Sequence, residues 1–166
     1  DCFKKSINLD SKSSESQNNL GNLYLELNEH QKGIGCYKSA IKINPKFFIS
    51  HYNLGVAYKN IGKYEEARKH LEESVKPKTH FYTAHRILSQ ITKYEINDNH
   101  FNFLKNSYEN TEINNEQKAE IAFALGKASE DIKNFDKAFK YYKDGNDYRR
   151  KVINFSIEVE KEEFAN

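Results

Sequence analysis

Leu20-Gly21, Leu54-Gly55 and Leu88-Ser89 follow one another at intervals of 34 residues. At the same interval Tyr24 returns as Tyr58, Gly33 as Ala67, Tyr37 as Leu71, Ala40 as Ser74 and Ile41 as Val75. A fixed period of this length, with small residues at fixed offsets and large apolar ones around them, belongs to a helix-turn-helix unit. One such unit cannot bury its apolar face alone, so it must stack on its neighbours. The period therefore predicts an all-α chain built from repeated helical hairpins.

Composition agrees. At 34 residues per unit, 166 residues hold between four and five hairpins, and Gly 7 and Pro 2 leave no glycine-rich or proline-rich linker. Lys+Arg 26 against Asp+Glu 24 gives a net charge of +2, too balanced for the concentrated basic face of a nucleic-acid binder. No apolar run approaches the roughly 18 residues that a membrane crossing needs, and no stretch of these 166 residues reads as a secretory signal. Cys2 and Cys36 hold equivalent places one period apart. Stacked hairpins separate such places by roughly 10 Å, and a disulfide needs Cα atoms within about 7 Å. Both are expected as free thiols, which fits a reducing, cytoplasmic compartment. Six histidines lie without metal spacing, and no cofactor motif accompanies them.

Along the chain, Phe3, Ser6, Ile7 and Leu9 match Tyr37, Ala40, Ile41 and Ile43 one period later. The chain is thus expected to open inside a partial repeat over 1–13, as an excised piece of a longer protein would. Full repeats are expected over 14–47 and 48–81. In the first, Ser14 and Gln17 suggest a capping box, Asn44-Pro45 ends the second helix, and Gly21, Gly33 and Ala40 allow close helix approach among Leu20, Tyr24 and Tyr37. In the second, Gly62 suits a left-handed turn residue. Leu88, Ser89 and Thr92 keep the phase, which then drifts. Leu125-Gly126 lies 37 after Leu88-Ser89, so three extra residues fall within a degenerate helical pair over 82–118. Asp98 and Asn114, the latter with Gln117, are expected N-caps. A last repeat uses Ile121, Phe123, Leu125, Gly126, Phe135, Ala138, Phe139 and Tyr142. A final helix from Asp147 to Phe164, with Val152, Phe155, Val159 and Phe164 on one face, is expected to cap the end within 119–166.

The chain resembles the tetratricopeptide repeat (TPR), which implies a right-handed TPR superhelix, an α-solenoid forming a single domain over 1–166. Residues 84–164 are more particular. Ala84-His85-Arg86, Phe123-Ala124-Leu125-Gly126-Lys127-Ala128, Phe135-Asp136-Lys137-Ala138-Phe139, Gly145-Asn146 and Arg149-Arg150 resemble the end of the repeat region in bacterial TPR-sulfotransferase proteins. That resemblance implies a catalytic domain following the repeats. No glycine-rich loop for a phosphosulfate donor lies within these 166 residues, so the stretch itself is expected to be a non-enzymatic interaction or scaffold module.

In TPR proteins the first helix of each repeat lines the binding groove. The resemblance implies groove positions at Asn18, Asn22, Tyr52, Asn53, Val56 and Lys59, and further on at Arg86, Gln90, Lys93, Phe123 and Lys127. The mixture of amides, aromatics and cations suits an extended, somewhat acidic peptide, either a separate partner or the protein's own following domain. Repeat domains that grip chaperone C-termini resemble one another in Lys, Asn, Asn, Lys and Arg at set places. Here Asn22 and Asn53 match the two asparagines, but Asn18, Thr83 and Ile87 replace the three cations. Each charged hydrogen bond lost costs roughly 1.5–3 kcal/mol, together enough to abolish micromolar binding at about −8 kcal/mol, so that ligand is not the one expected. Arg149, Arg150 and Lys151 form a short basic run ahead of Glu158, Glu160, Glu162 and Glu163.

Overall fold

The computed structural model describes residues 13–76 and 81–164, with side chains described to residue 153. Among the described residues there are eight α-helices and no strand. The chain divides into two compact units, Asp1–Thr79 and His80–Asn166.

The first unit contains α1 (Ser14–Glu26), α2 (His30–Ile43), α3 (Phe48–Asn60) and α4 (Tyr64–Val75). Helix α1 packs on α2, α3 on α4, and α2 on α3, so two hairpins stack in sequence order. The N-cap of α1 is Ser13, whose hydroxyl accepts from the Ser16 amide at 3.5 Å. The cap therefore stands one residue ahead of the expected Ser14, because either serine can supply the oxygen. Between α1 and α2 the amide of Glu29 donates to the Tyr24 carbonyl at 2.8 Å, and between α3 and α4 that of Lys63 donates to Tyr58 at 2.9 Å. These six-to-one closures require a left-handed residue just before the donor. Asn28 (φ 59°) and Gly62 (φ 77°) supply it, as sequence reasoning expected for Gly62.

Each hairpin closes on a glycine socket. A Cβ on Gly21 would stand 2.5 Å from Cε1 of Tyr37, and one on Gly55 would stand 2.7 Å from Cγ of Leu71 and 3.1 Å from the Ala67 carbonyl oxygen. Neither distance is tolerable between real carbons, so only glycine admits this approach. Ala40, Leu54, Ala67, Leu71 and Ser74 are completely buried beside these contacts, and the Ser74 hydroxyl is satisfied by the Leu71 carbonyl at 2.6 Å. Ala67→Leu should therefore overpack the second hairpin and cost about 1–3 kcal/mol. An unaltered chemical-denaturation midpoint would show that this interface is looser than its contacts.

The second unit contains α5 (Tyr82–Ile91), α6 (Asn99–Glu109), α7 (Asn115–Asp131) and α8 (Phe135–Phe164). Helices α7 and α8 form a hairpin with the same devices. Lys133 has φ 61°, Asn134 donates to the Ser129 carbonyl at 2.9 Å, and a Cβ on Gly126 would meet Tyr142 at 2.7 Å. Asp98 caps α6 by accepting from His100 and Phe101, and Asn114 with Gln117 makes a reciprocal capping box on α7, both as expected.

The irregular pair departs from the repeat in a definite way. Helix α5 has 10 residues and is followed by the non-helical stretch 92–98, and both α5 and α6 pack chiefly on α7. The Tyr94 amide donates to Asp131 Oδ2 at 2.9 Å, and Lys127 reaches both Asp131 and the Thr92 carbonyl, which pins this stretch to α7. The added residues reappear as length in α7, which has 17 residues against 13 in α1 and in α3.

Two further expectations change. The last helix is not separate: α8 runs unbroken for 30 residues from Phe135. Gly145 marks no break. It is buried inside α8, where a Cβ would lie 3.0 Å from the Phe123 ring. The expected face of Phe155, Val159 and Phe164 lies outside the described side chains. Phe135 and Phe139, expected in the core, are 65% and 74% exposed, because α8 turns Ala138 and Tyr142 toward α7 instead.

Candidate functional site

In the first unit, three of the expected groove residues converge. Asn18 is buried, and its Oδ1 accepts from Ser50 Oγ at 2.9 Å and from Asn53 Nδ2 at 2.9 Å. It is thus a strut between α1 and α3, not a groove contact: its carbonyl is spent on holding the helices together. Asn22 is exposed. Its Oδ1 accepts from Tyr37 Oη at 2.7 Å and from Asn53 Nδ2 at 3.2 Å. Two amides locked this way each keep one end outward. Asn22 presents its Nδ2 donors and half-buried Asn53 presents its Oδ1 acceptor, neither hydrogen-bonded to a neighbour among the described residues. Tyr52, Val56 and Lys59 are half-buried on the same helix, and Tyr52 and Lys59 have partners of their own.

In the second unit the expected positions divide. Arg86 and Phe123 meet, with the guanidinium 5.1 Å from the ring centroid. Arg86 also pairs with Glu120 at 3.3 Å, and Glu120, 5% exposed, takes Arg149 at 2.9 Å. Lys127 is turned inward to Asp131 and Thr92, with its ammonium 5.6 Å from the Tyr94 ring. Gln90 already has a partner. Lys93 is exposed away from these, in an open cleft of about 740 Å³ with Tyr94, Glu95, Asp98, Asp131 and Lys133.

The histidines are less scattered than the sequence suggests. His51 Nδ1 lies 3.2 Å from His70 Nδ1, and His51 Nε2 lies 3.2 Å from the Pro45 carbonyl. A carbonyl only accepts, so Nε2 of His51 carries its proton, and His70 Nδ1 must donate to the other ring nitrogen. Burial, then the neighbouring His51, lowers the His70 pKa. In the second unit His85 Nδ1 is 2.9 Å from His100 Nε2, and Tyr94 Oη is 2.7 Å from His100 Nδ1. Burial pushes His85 down to about 3 and His100 to about 4, with His100 adding to the effect on His85 and Asp98 opposing it on His100. These pairs are 19 and 15 residues apart in the chain. No local spacing rule could have found them. Among the described residues no group of three or more His, Cys, Asp or Glu side chains converges in a metal-holding arrangement.

Cys36 is a free, half-buried thiol whose pKa burial raises; Cys2 lies outside the described residues. No helix among the described residues is long and apolar enough to cross a membrane.

Stacked helical hairpins closed on small residues, with amides and cations on their surfaces, define a helical-repeat protein. Family models described as TPR repeat and tetratricopeptide repeat match residues 21–62, 2–34 and 49–76. Among solved structures, the chain is similar to MamA (TM-score 0.63, 19% identity, 92% of this chain and 87% of that one). It is also similar to YrrB, a TPR protein with an unusual peptide-binding site (TM-score 0.60, 18% identity, 90% and 84%). TPR-like repeats of a kinesin light chain candidate from Podospora anserina align with TM-score 0.64 at 15% identity, over 90% and 85% of the chains. No curated protein sequence matches the chain. At these identities the solved structures establish a shared all-helical TPR fold.

Proposed function

We propose that this chain is a protein-interaction module that holds an extended peptide through Asn22 and Asn53. The observation that carries the reading is their mutual lock. It leaves an unused donor group, Asn22 Nδ2, and an unused acceptor, Asn53 Oδ1. A peptide group offers the complementary carbonyl and N–H, so the pair binds backbone without dictating side chains. The similarity to YrrB, whose description includes a peptide-binding site, supports the same use of the fold. A longer form of the reading, resting on the sulfotransferase resemblance of residues 84–164, places the module beside such a domain. A phosphosulfate-binding loop encoded after Asn166 is its test.

The decisive substitution is Asn22→Asp. It keeps the oxygen that Tyr37 and Asn53 use, and it removes the outward donor. Combined with Asn53→Ala, it should weaken peptides selected by display against the whole chain by about 1–3 kcal/mol, with helix content unchanged. Selected peptides that all bind the double variant as tightly as the parent would refute the amide site.

A further inference from the structure

We infer that the second unit carries a separate receptor for a run of acidic side chains, built by Arg86, Arg149, Lys118 and Lys151 around Phe123 and Tyr148. The inference rests on the peptide-binding reading for its partner class, but not on the asparagine pair.

The core of the site is an ion triad with more donors than its acceptor can use. Glu120 brings one carboxylate. Arg86 spends Nη1 on both its oxygens at 3.3 and 3.4 Å, and Arg149 spends Nη2 on Oε1 at 2.9 Å. A guanidinium has five N–H donors in a planar fork. Each arginine therefore retains Nε and a second terminal nitrogen without a partner among the described residues. Their side chains are 31% and 42% exposed, whereas that of Glu120 is 7% exposed. The buried carboxylate thus orients both forks, on side chains that are themselves partly open to solvent. Two cations on one anion leave an excess positive charge.

The surroundings enlarge that excess. Arg149 follows Tyr148 directly on α8, and Lys118 and Lys151 lie over the Tyr148 ring at 5.7 and 5.4 Å. Asp147 is already paired with Arg150 at 3.1 Å, and Asp144, which accepts from the neutral Tyr108 hydroxyl at 2.7 Å, keeps its charge but makes no ion pair with these cations among the described residues. Glu116 lines a small cleft with Lys151 and is the one carboxylate among the described residues that line it. Cations spread along adjacent helices suit several carboxylates in series better than a single terminal one. Phe123 and Tyr148 hold the charged heads of Arg86, Lys118 and Lys151 over their faces, so the charges are presented in place.

The test uses the full chain and a fluorescein-labelled hexaglutamate peptide with an amidated C-terminus, followed by anisotropy. Hexaglutamine of the same form and the hexaglutamate free acid serve as comparisons. Hexaglutamate should bind, hexaglutamine at least tenfold more weakly, and amidation should change little. Arg149→Gln should weaken hexaglutamate at least fivefold. Lys69→Gln, which removes one exposed cation from the first unit, should leave it within twofold. Arg149→Lys should restore only part of the affinity, since it returns charge without the fork. Equal losses from Arg149→Gln and Lys69→Gln would reduce the effect to net charge and overturn the site, as would hexaglutamine binding as well as hexaglutamate. Binding only of the free acid would overturn the acidic-run assignment. Circular dichroism of Arg149→Gln matching the parent ties its loss to the surface. If that variant is unfolded, Lys151→Gln, on an exposed residue, takes its place with the same threshold.

Discussion

Titrated from pH 8 to pH 4, the second unit should lose stability on the order of 5 kcal/mol. The cause is the buried pair His85 and His100, held down to about 3 and about 4 in the folded protein. In the unfolded chain each returns to the ordinary value near 6.5, so below that pH the unfolded state binds more protons. The stability contributed by keeping both rings neutral is complete above about pH 6.5. It is lost as the pH falls toward about 4 and then about 3. His70, also lowered by burial, acts in the same sense in the first unit. Urea unfolding at pH 8, 6, 5 and 4 measures the slope. In His85→Phe, whose ring can lie on Phe103 as His85 does at 4.5 Å, about half of the slope from this pair should vanish. A free energy flat between pH 7 and pH 5 would mean that these rings are wet or already charged.

Leu104→Ala should cost about 2–5 kcal/mol. Leu104 is fully buried among Tyr82, Tyr94, Phe101, Ile113, Ile121 and Leu125, and it is one of two α6 side chains, with Phe101, that are buried. Helix α6 has 11 residues, too short to persist in water on its own. Its packing on α7 therefore carries it, and the cavity should be felt first there. Hydrogen exchange should show α6 amides losing protection ahead of α7. Uniform loss across the chain, or a change below 1 kcal/mol, would show that α6 is held by something other than its apolar face.

Much of this was legible in the sequence, and for a physical reason. Caps and turns are local, so Asp98, Asn114 with Gln117, and Gly62 could be read from a few neighbours. Glycine sockets recur because helix geometry recurs: the 34-residue beat exposed Gly21 and Gly55, and the same Leu-Gly pair, three residues out of step, exposed Gly126. Long-range pairing left no such trace. Nothing in the spacing of His51 and His70, or of His85 and His100, marks them as neighbours. The burial of Asn18 was hidden because groove and strut positions both favour amides. Gly145-Asn146 resembles a helix end, yet Phe123 fills the space above that glycine and α8 continues. Phe135 and Phe139 follow the core pattern at helical spacing, and only the rotation of α8 on α7 turns them outward.

The glycine and the side chain it admits sit on the two helices of one hairpin: Gly21 with Tyr37, Gly55 with Leu71, Gly126 with Tyr142. A gene segment copied or exchanged as a whole hairpin keeps lock and key together. A boundary placed between its two helices separates them, and Tyr37 set against a helix bearing any larger residue at position 21 has nowhere to go. The pairing thus makes the hairpin the natural grain of duplication in this chain. It also lets neighbouring copies diverge, from a tyrosine to a leucine at the same place, without consulting one another.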